Sequence, residues 1–127
     1  KEERKETDGN PQIKQRIRTV QMEMARKRMM SAVPDADVIV TNPTHISIAI
    51  KYDPEKTSAP TVVAKGVGPI AMRIREIAKE NGVPLVEDKP LARTLNKTVE
   101  VGQLIPASLY KAVAEILAYV YKLKNFS

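Results

Sequence analysis

Cysteine and tryptophan are absent from this chain of 127 residues, and histidine and phenylalanine each occur once. Without cysteine, the chain can form neither a disulfide framework nor a thiolate site. One histidine and no cysteine leave too few of the usual zinc ligands. No apolar run approaches the length that a membrane-spanning helix needs, and no secretory signal is visible. The sequence therefore predicts a protein without a metal or cofactor and without a helix that crosses a bilayer.

The positive charge of the chain, a net +6, is concentrated near the amino terminus. Residues 1–30 hold nine Lys and Arg against five Asp and Glu, whereas residues 31–127 hold twelve against ten. The length suits one domain with one modest core. We therefore divide the chain into a basic linker helix, residues 1–33, and a nearly charge-balanced domain, residues 34–127. Because the first residue is Lys1 rather than methionine, we expect a piece of a longer protein.

The linker is predicted to be helical from Asn10-Pro11, because asparagine caps helix starts and proline suits the first helical turn. Its apolar residues recur at helical spacing up to about Met30, but the stripe is narrow and basic side chains surround it. Two interpretations remain: a solvated linker helix, or a stalk whose basic side contacts anionic lipid headgroups. The stripe consists of Ile13, Ile17, Val20 and Met24.

The domain is organised around residues 37–52, which predict two strands, Val38–Thr41 and Ile46–Tyr52, joined by a turn at Asn42-Pro43. The first strand is a short β-branched run, and the second alternates between two faces. An Asn-Pro step between strands is a common turn signal. The second strand places Ile46, Ile48 and Ile50 on one face and Ser47, Ala49 and Lys51 on the other.

The same Asn-Pro step has a chemical consequence. An asparagine side chain is normally attacked by the backbone nitrogen of the next residue, but proline has no N–H, so this route is closed at Asn42. The remaining route is attack by the Asn42 side-chain nitrogen on its own main-chain carbonyl, which expels Pro43 as a new amino terminus. The fold must then hold the reacting atoms close together and supply a donor for the oxyanion. His45, the only histidine, is the local candidate for an assisting base.

The rest of the chain predicts an α/β fold, in which helices surround a small mixed β-sheet of about four strands, preceded by the basic N-terminal linker helix. Gly66-Val67-Gly68 is interpreted as a strand-to-helix turn, because it lacks the third glycine of a dinucleotide site and the Lys-Ser/Thr of a P-loop. Arg93 is predicted to form a structural salt bridge, with binding to a partner as the alternative. The predicted later elements are strands Thr61–Lys65 and Pro84–Val86, a helix from Pro69 to a cap at Gly82, and helices Leu91–Asn96 and Pro106–Lys124.

The last predicted helix has an apolar arc that is wider than contact with one sheet requires. One explanation is a second packed element, such as the Leu91–Asn96 helix. The other is a groove, shared with the Ala59-Pro60 loop, that receives short peptides. The predicted core stripe consists of Leu109, Val113, Ile116, Val120 and Leu123, and the extra flank consists of Tyr110, Ala114, Leu117 and Tyr121.

The tetrapeptide Asn42-Pro43-Thr44-His45, between an apolar strand and an isoleucine-alternating one, resembles the self-cleaving loop of the FlhB/YscU family. These are the export-switch proteins of bacterial flagella and type III secretion systems. The likeness extends from about Asp37 to Leu123, and it is closer to the flagellar branch than to the injectisome branch, which remains an alternative. The segments that carry it are Ser58-Ala59-Pro60, Val62-Val63-Ala64-Lys65-Gly66, Arg73-Ile74-Arg75-Glu76-Ile77, Pro90-Leu91-Ala92-Arg93 and Ala112-Val113-Ala114-Glu115.

The resemblance implies the cytoplasmic domain of an inner-membrane component of the export apparatus, whose self-cleavage permits a switch from early to late export substrates. It implies Asn42 as nucleophile and scissile residue, Pro43 as leaving group, Thr44 as a residue that positions the loop, and His45 as assisting base. The reaction would occur once per chain, so the domain would not be an enzyme with turnover. The implied partners are other membrane components of the apparatus, export substrates, a hook- or needle-length control protein and, through the linker, the anionic membrane surface.

Two other classes of function remain as alternatives. A pI near 9.6 is compatible with a nucleic-acid-binding module. However, aromatic side chains are scarce and the basic charge is not spread over a core face, so we expect no nucleic-acid partner. A multiple-turnover hydrolase with His45 as base would need a Ser/His/Asp spacing or paired carboxylates, and the sequence has neither.

Overall fold

Four β-strands with helices around them make up the described part of this computed structural model, residues 9–43 and 45–126. The strands are β1 (Val38–Asn42), β2 (Ile46–Lys51), β3 (Thr61–Val67) and β4 (Leu85–Glu87). The helices are α1 (Pro11–Ala32), α2 (Gly68–Glu80), α3 (Lys89–Thr98) and α4 (Tyr110–Phe126), with short 3₁₀ turns at Val33–Asp35 and Ala107–Leu109.

The sheet has the strand order β3-β2-β1-β4. The two central strands, β1 and β2, form an antiparallel hairpin in which Thr41 pairs with Ser47 and Asn42 pairs with Ile46. On the outer sides, β3 is antiparallel to β2, whereas β4 is parallel to β1. The sheet is therefore mixed, and the predicted fold class is confirmed. The Asn-Pro step lies at the end of the central hairpin.

Both faces of this sheet are covered, so the hairpin strands are buried on either side. One face, with Ile46, Ile48 and Ile50, packs against α3 and α4, while the other, with Ile39 and Ala49, packs against α2. The alternating residues of β2 therefore lie on two buried faces, and neither face of this strand is exposed to solvent. Ser47 is fully buried, and its hydroxyl donates to the Ala71 carbonyl oxygen 3.0 Å away, which satisfies its polar group.

Several predicted element ends move by a few residues. β3 continues to Val67 because Gly66 lets α2 pack closely, and a Cβ there would collide with the Ile70 side chain. Gly68 then turns the chain with a φ of 55°. α3 begins before Leu91 because the Asp88 side chain accepts a hydrogen bond from the Leu91 N–H at 3.1 Å and so caps the helix.

The salt bridge predicted for Arg93 does not form within the described residues, where this side chain is exposed and no acidic partner approaches it. The α3 residues that pack on the sheet, such as Leu91 and Leu95, are on the opposite side of the helix. The prediction was wrong because sequence pattern places Arg93 on the wet face but does not place a carboxylate beside it.

Helix α1 starts as predicted, with the Asn10 side chain accepting from the Gln12 N–H at 2.9 Å. None of its residues is buried, and only Met29 and Met30, at its end, pack against the core. Most of its apolar stripe is exposed: Ile13, Ile17 and Met24 are 46%, 51% and 56% exposed, and Val20 is half-buried. None of the helices in residues 9–43 and 45–126 is both long and apolar enough to span a bilayer. The boundary at residue 33 stays a prediction, and the first eight residues are outside the described part.

Candidate functional site

The Asn-Pro step forms a tight turn at the end of the central hairpin. The His45 backbone N–H donates to the Asn42 carbonyl oxygen at 3.0 Å, which closes a four-residue turn with Pro43 at its second position. Asn42 is 5% exposed, while Pro43 and His45 are exposed. Thr44, the predicted loop-positioning residue, is outside the described residues.

Three hydrogen bonds from two helices hold this turn in place. The Asp88 N–H, at the start of α3, donates to the Thr41 carbonyl oxygen at 2.9 Å. The Gly68 N–H, at the start of α2, donates to the His45 carbonyl oxygen at 3.0 Å. The Arg75 guanidinium, further along α2, donates to the Pro43 carbonyl oxygen. The turn is thus tied to one helix on each face of the sheet, α3 and α2.

The carbonyl that asparagine cyclisation would attack has a hydrogen-bond donor. Attack by the Asn42 side-chain nitrogen would put negative charge on the Asn42 carbonyl oxygen, and this oxygen accepts a hydrogen bond from the His45 N–H. Among the described residues, the Asn42 side-chain amide makes no hydrogen bond, so none of them holds its nitrogen away from the carbonyl carbon. The turn therefore provides an oxyanion donor, which the cyclisation chemistry needs and which the sequence analysis did not name.

This donor could have been found from the sequence. Proline at the second position of a β-turn favours a hydrogen bond from the N–H of the fourth residue to the carbonyl of the first. In Asn42-Pro43-Thr44-His45, this rule predicts a hydrogen bond from the His45 N–H to the Asn42 carbonyl oxygen. The imidazole ring is exposed and makes no hydrogen bond within the described residues, so its role as a base stays a prediction.

The six residues predicted for a peptide groove line one cavity of about 350 Å³ on the surface of α4. Tyr110 and Tyr121 are 45% and 41% exposed and Ala114 is also exposed, so the described residues leave most of this flank uncovered. Leu117 is 4% exposed and joins the core cluster that includes α3, which agrees in part with the packing alternative. We call this cavity the α4 groove; its lining is Tyr52, Ser58, Ala59, Pro60, Tyr110, Ala114, Leu117, Ala118 and Tyr121.

One residue of the predicted α4 core stripe is not in the core. Leu123 is 49% exposed, because the helix from Tyr121 to Asn125 is exposed throughout. Val113 and Val120 are buried as predicted. Helical periodicity identifies the face of a helix, but it does not say where along the helix the neighbouring layer ends.

One end of the α4 groove is polar. The Asp37 carboxylate accepts a hydrogen bond from the Tyr52 N–H at 2.7 Å. Burial raises the pKa of Tyr121 above its ordinary value, and the negative charge of Asp37 and the nearby Tyr52 raise the pKa further. The Tyr121 hydroxyl therefore stays protonated over a wider pH range than a free tyrosine.

Comparison of the chain with known proteins shows the family to which it is similar. The model of the FlhB HrpN YscU SpaS family matches residues 1–120. The chain belongs to the FlhB/YscU family. Its similarity to the family therefore includes the linker as well as the segment from Asp37 that carries the motifs.

Flagellar proteins are prominent among the relatives in this family. The chain is 56% identical over 126 residues to the flagellar biosynthetic protein FlhB of Escherichia coli, a match that covers 99% of this chain and 33% of that protein. The chain thus spans about a third of the length of the curated relatives it matches. These matches confirm the flagellar FlhB branch and leave the injectisome alternative without support.

Solved structures of family members share the fold. The cytoplasmic domain of FlhB from Shewanella putrefaciens aligns with a TM-score of 0.77 and 46% identity, covering 80% of this chain and 78% of that one. A mutated EscU C-terminal domain, with an asparagine changed to alanine, aligns with a TM-score of 0.70 and 33% identity, covering 72% and 92%. The arrangement of sheet and helices described above is therefore that of the FlhB cytoplasmic domain.

Proposed function

We propose that this chain is the cytoplasmic switch domain of an inner-membrane component of the flagellar type III export apparatus, and that it cleaves itself between Asn42 and Pro43. The observation that carries the proposal is the hydrogen bond from the His45 N–H to the Asn42 carbonyl oxygen. It polarises the one carbonyl that asparagine cyclisation attacks, in a residue followed by proline. The family membership supports the role in export.

Cleavage proceeds by cyclisation of Asn42. Its side-chain nitrogen attacks its main-chain carbonyl carbon and gives up a proton to a base, for which His45 is the candidate. The resulting oxyanion is held by the His45 N–H. The bond from this carbon to the Pro43 nitrogen then breaks, and the nitrogen takes up a proton. The products are a succinimide at residue 42, which water later opens, and a free amino terminus at Pro43.

Self-cleavage occurs once per chain, so its rate can be low. Completion within about an hour corresponds to a barrier of roughly 22 kcal/mol. One oxyanion donor typically contributes about 2.7–4 kcal/mol, and a positioned base about 10²–10⁴-fold in rate. The cyclisation consumes Asn42, so the reaction cannot turn over.

The two products should remain one folded domain. After cleavage, β1 ends the first fragment and β2 begins the second, but their ladder runs from Val38 to Asn42 and does not depend on the broken bond. Cleavage would release the chain at Pro43 to adopt another conformation while the sheet persists. This local change is the physical event that we connect with the switch from early to late export substrates.

We further propose that the α4 groove binds short segments of export substrates. Its lining is mostly apolar, it is open to solvent, and the exposed Tyr110 and Tyr121 lie along it. Such grooves bind amphipathic or extended peptides through a few apolar anchors. Other membrane components of the apparatus and a length-control protein are the remaining proposed partners, with the basic helix α1 at the anionic membrane surface.

The experiment that tests self-cleavage is mass spectrometry of the folded wild type beside Asn42→Ala and Pro43→Ala. Wild type should yield residues 1–42 and 43–127, with a native size equal to that of the intact chain. Asn42→Ala removes the nucleophile and should remain intact. Pro43→Ala restores a backbone N–H, so Asn42 should convert slowly to aspartate instead of cleaving the chain. Identical fragments from wild type and Asn42→Ala would indicate a contaminating protease and end the proposal.

A further inference from the structure

We propose that Arg75 is a positioning residue for cleavage at Asn42–Pro43, an inference that rests on the self-cleavage proposed above. Its guanidinium donates to the Pro43 carbonyl oxygen from helix α2, 32 residues further along the chain. This carbonyl belongs to the peptide that follows the scissile one. Arg75 therefore acts on the shape of the turn and does not touch the reacting atoms.

The backbone of the turn explains why this contact matters. The proline ring fixes φ of Pro43, and its peptide bonds are planar, so ψ is the remaining soft dihedral of this residue. The direction of the Pro43 carbonyl group depends on ψ. The hydrogen bond from Arg75 to this carbonyl oxygen therefore restricts ψ. Together with the two dihedrals of residue 44, this angle determines where the His45 N–H lies relative to the Asn42 carbonyl oxygen. Arg75 thus fixes one of the dihedrals that position the oxyanion donor.

The charge environment of Arg75 suits this role. No carboxylate in the described residues pairs with it, although it is half-buried. Arg73, two residues earlier on the same helix, instead contacts Glu76 at 3.3 Å and Glu80 at 3.6 Å. A guanidinium that donates to a carbonyl forms a charge-assisted hydrogen bond, which is shorter and stronger than a neutral one. Two arginines on one helix therefore have different tasks, and Arg73 provides a matched control.

The test follows cleavage of the whole chain after cell-free synthesis, with the fragment 43–127 quantified by mass spectrometry over time. Arg75→Met keeps the aliphatic stem but loses the donor, and it should slow cleavage about 10- to 100-fold, the range expected for a small misplacement of reacting groups. Arg75→Lys keeps a cationic donor and should recover most of the rate. Arg73→Met should cleave at the wild-type rate.

A second measurement separates positioning from general stability. The same substitutions are placed in the uncleavable Asn42→Ala background, and the urea midpoint of unfolding is determined. We expect Arg75→Met and Arg75→Lys to have similar midpoints but different cleavage rates. A purely structural role would make the rate follow the midpoint and would allow methionine to replace arginine as well as lysine does.

Two outcomes would overturn the inference while self-cleavage stands. The first is that Arg75→Met cleaves as fast as Arg73→Met. The second is that Arg75→Met and Arg75→Lys cleave equally slowly, which would leave no role for the cationic donor. A wild-type chain that stays intact is a different result, because it would overturn self-cleavage itself and the role of Arg75 with it.

Discussion

The Gly68 backbone N–H donates to the carbonyl oxygen of His45 at 3.0 Å, so the first residue of α2 is bonded to the last residue of the cleavage turn. The close packing of α2 against β3 depends on Gly66, which has no room for a Cβ beside Ile70. The position of the helix and the shape of the turn are therefore coupled.

Gly66→Ala is expected to weaken this coupling. The added methyl group must displace Ile70, and overpacking of this kind costs about 1–3 kcal/mol of unfolding free energy. Because α2 also supplies the Gly68 and Arg75 contacts, cleavage should slow as well. Urea unfolding in an Asn42→Ala background measures the first effect, and mass spectrometry measures the second. Gly9→Ala, where a Cβ would meet nothing within 4 Å, is the control and should change neither.

Two substitutions at His45 separate the contribution of its backbone N–H to cleavage from that of its imidazole. His45→Ala removes the imidazole but keeps the N–H on the Asn42 carbonyl oxygen, so cleavage should slow without stopping. His45→Pro removes that N–H, and loss of one oxyanion donor should cost about 10²–10³-fold in rate. Time courses of fragment formation give both rates, with circular dichroism as the check on folding. Faster cleavage by His45→Pro than by His45→Ala would contradict the assignment of the oxyanion donor.

Ala114→Glu places a carboxylate in the α4 groove and should weaken binding of export-signal peptides by at least about tenfold, because an unpaired charge would have to be desolvated. Fluorescence titration with a labelled peptide from an early export substrate measures the affinity. Ala107→Glu, at an exposed position outside the groove, is the matched control and should bind normally. If both variants bind with wild-type affinity, the peptides dock elsewhere.

The raised pKa of Tyr121 predicts a dependence of stability on alkaline pH. Because the folded state holds this proton more tightly than the unfolded chain does, the stabilisation is complete below the ordinary tyrosine pKa near 10. It is lost as the pH rises through the raised value. Urea midpoints measured from neutral to alkaline pH should fall more steeply for wild type than for Tyr121→Phe. Tyr119→Phe, on an exposed part of the same helix, should retain the wild-type slope.

Helix α1 is expected to bind anionic lipid vesicles through its basic side chains. Each Lys or Arg near such a surface contributes about 1 kcal/mol, so charge reversal at Arg16 and Arg18 should reduce co-sedimentation strongly at low salt. Reversal of two basic residues in the folded domain, Lys111 and Lys122, is the control for net charge. Equal loss of binding in both variants would mean that total charge, rather than this helix, governs the interaction.

Much of the fold could be predicted from the sequence because its signals are local. The β-branched runs around Asn42-Pro43 indicate the hairpin, and the period of α4 indicates a flank beside its core stripe. The flank and the Ala59-Pro60 loop proved to line one cavity. Fold class, strand number and the position of the turn were all confirmed.

The details that could not be predicted depend on distant parts of the chain. The contact from Arg75 to Pro43 joins residues 32 positions apart, and no local pattern reports it. Among residues 9–43 and 45–126, Arg93 lacks its predicted ion pair for the same reason, since the face on which a residue lies does not determine which residues lie opposite it. The extension of β3 through Gly66 required knowledge of where α2 packs, which tertiary contact rather than strand propensity decides.

The central position of β1 has a mechanical consequence. Every residue of this strand pairs with β2, and its middle residues, Ile39 to Thr41, also pair with β4. A force that pulls α1 away from the domain is therefore delivered along β1 and loads both ladders in shear, so many hydrogen bonds must break together instead of one after another. Scission at Pro43 would leave this load path intact, and the cut chain could still bear tension.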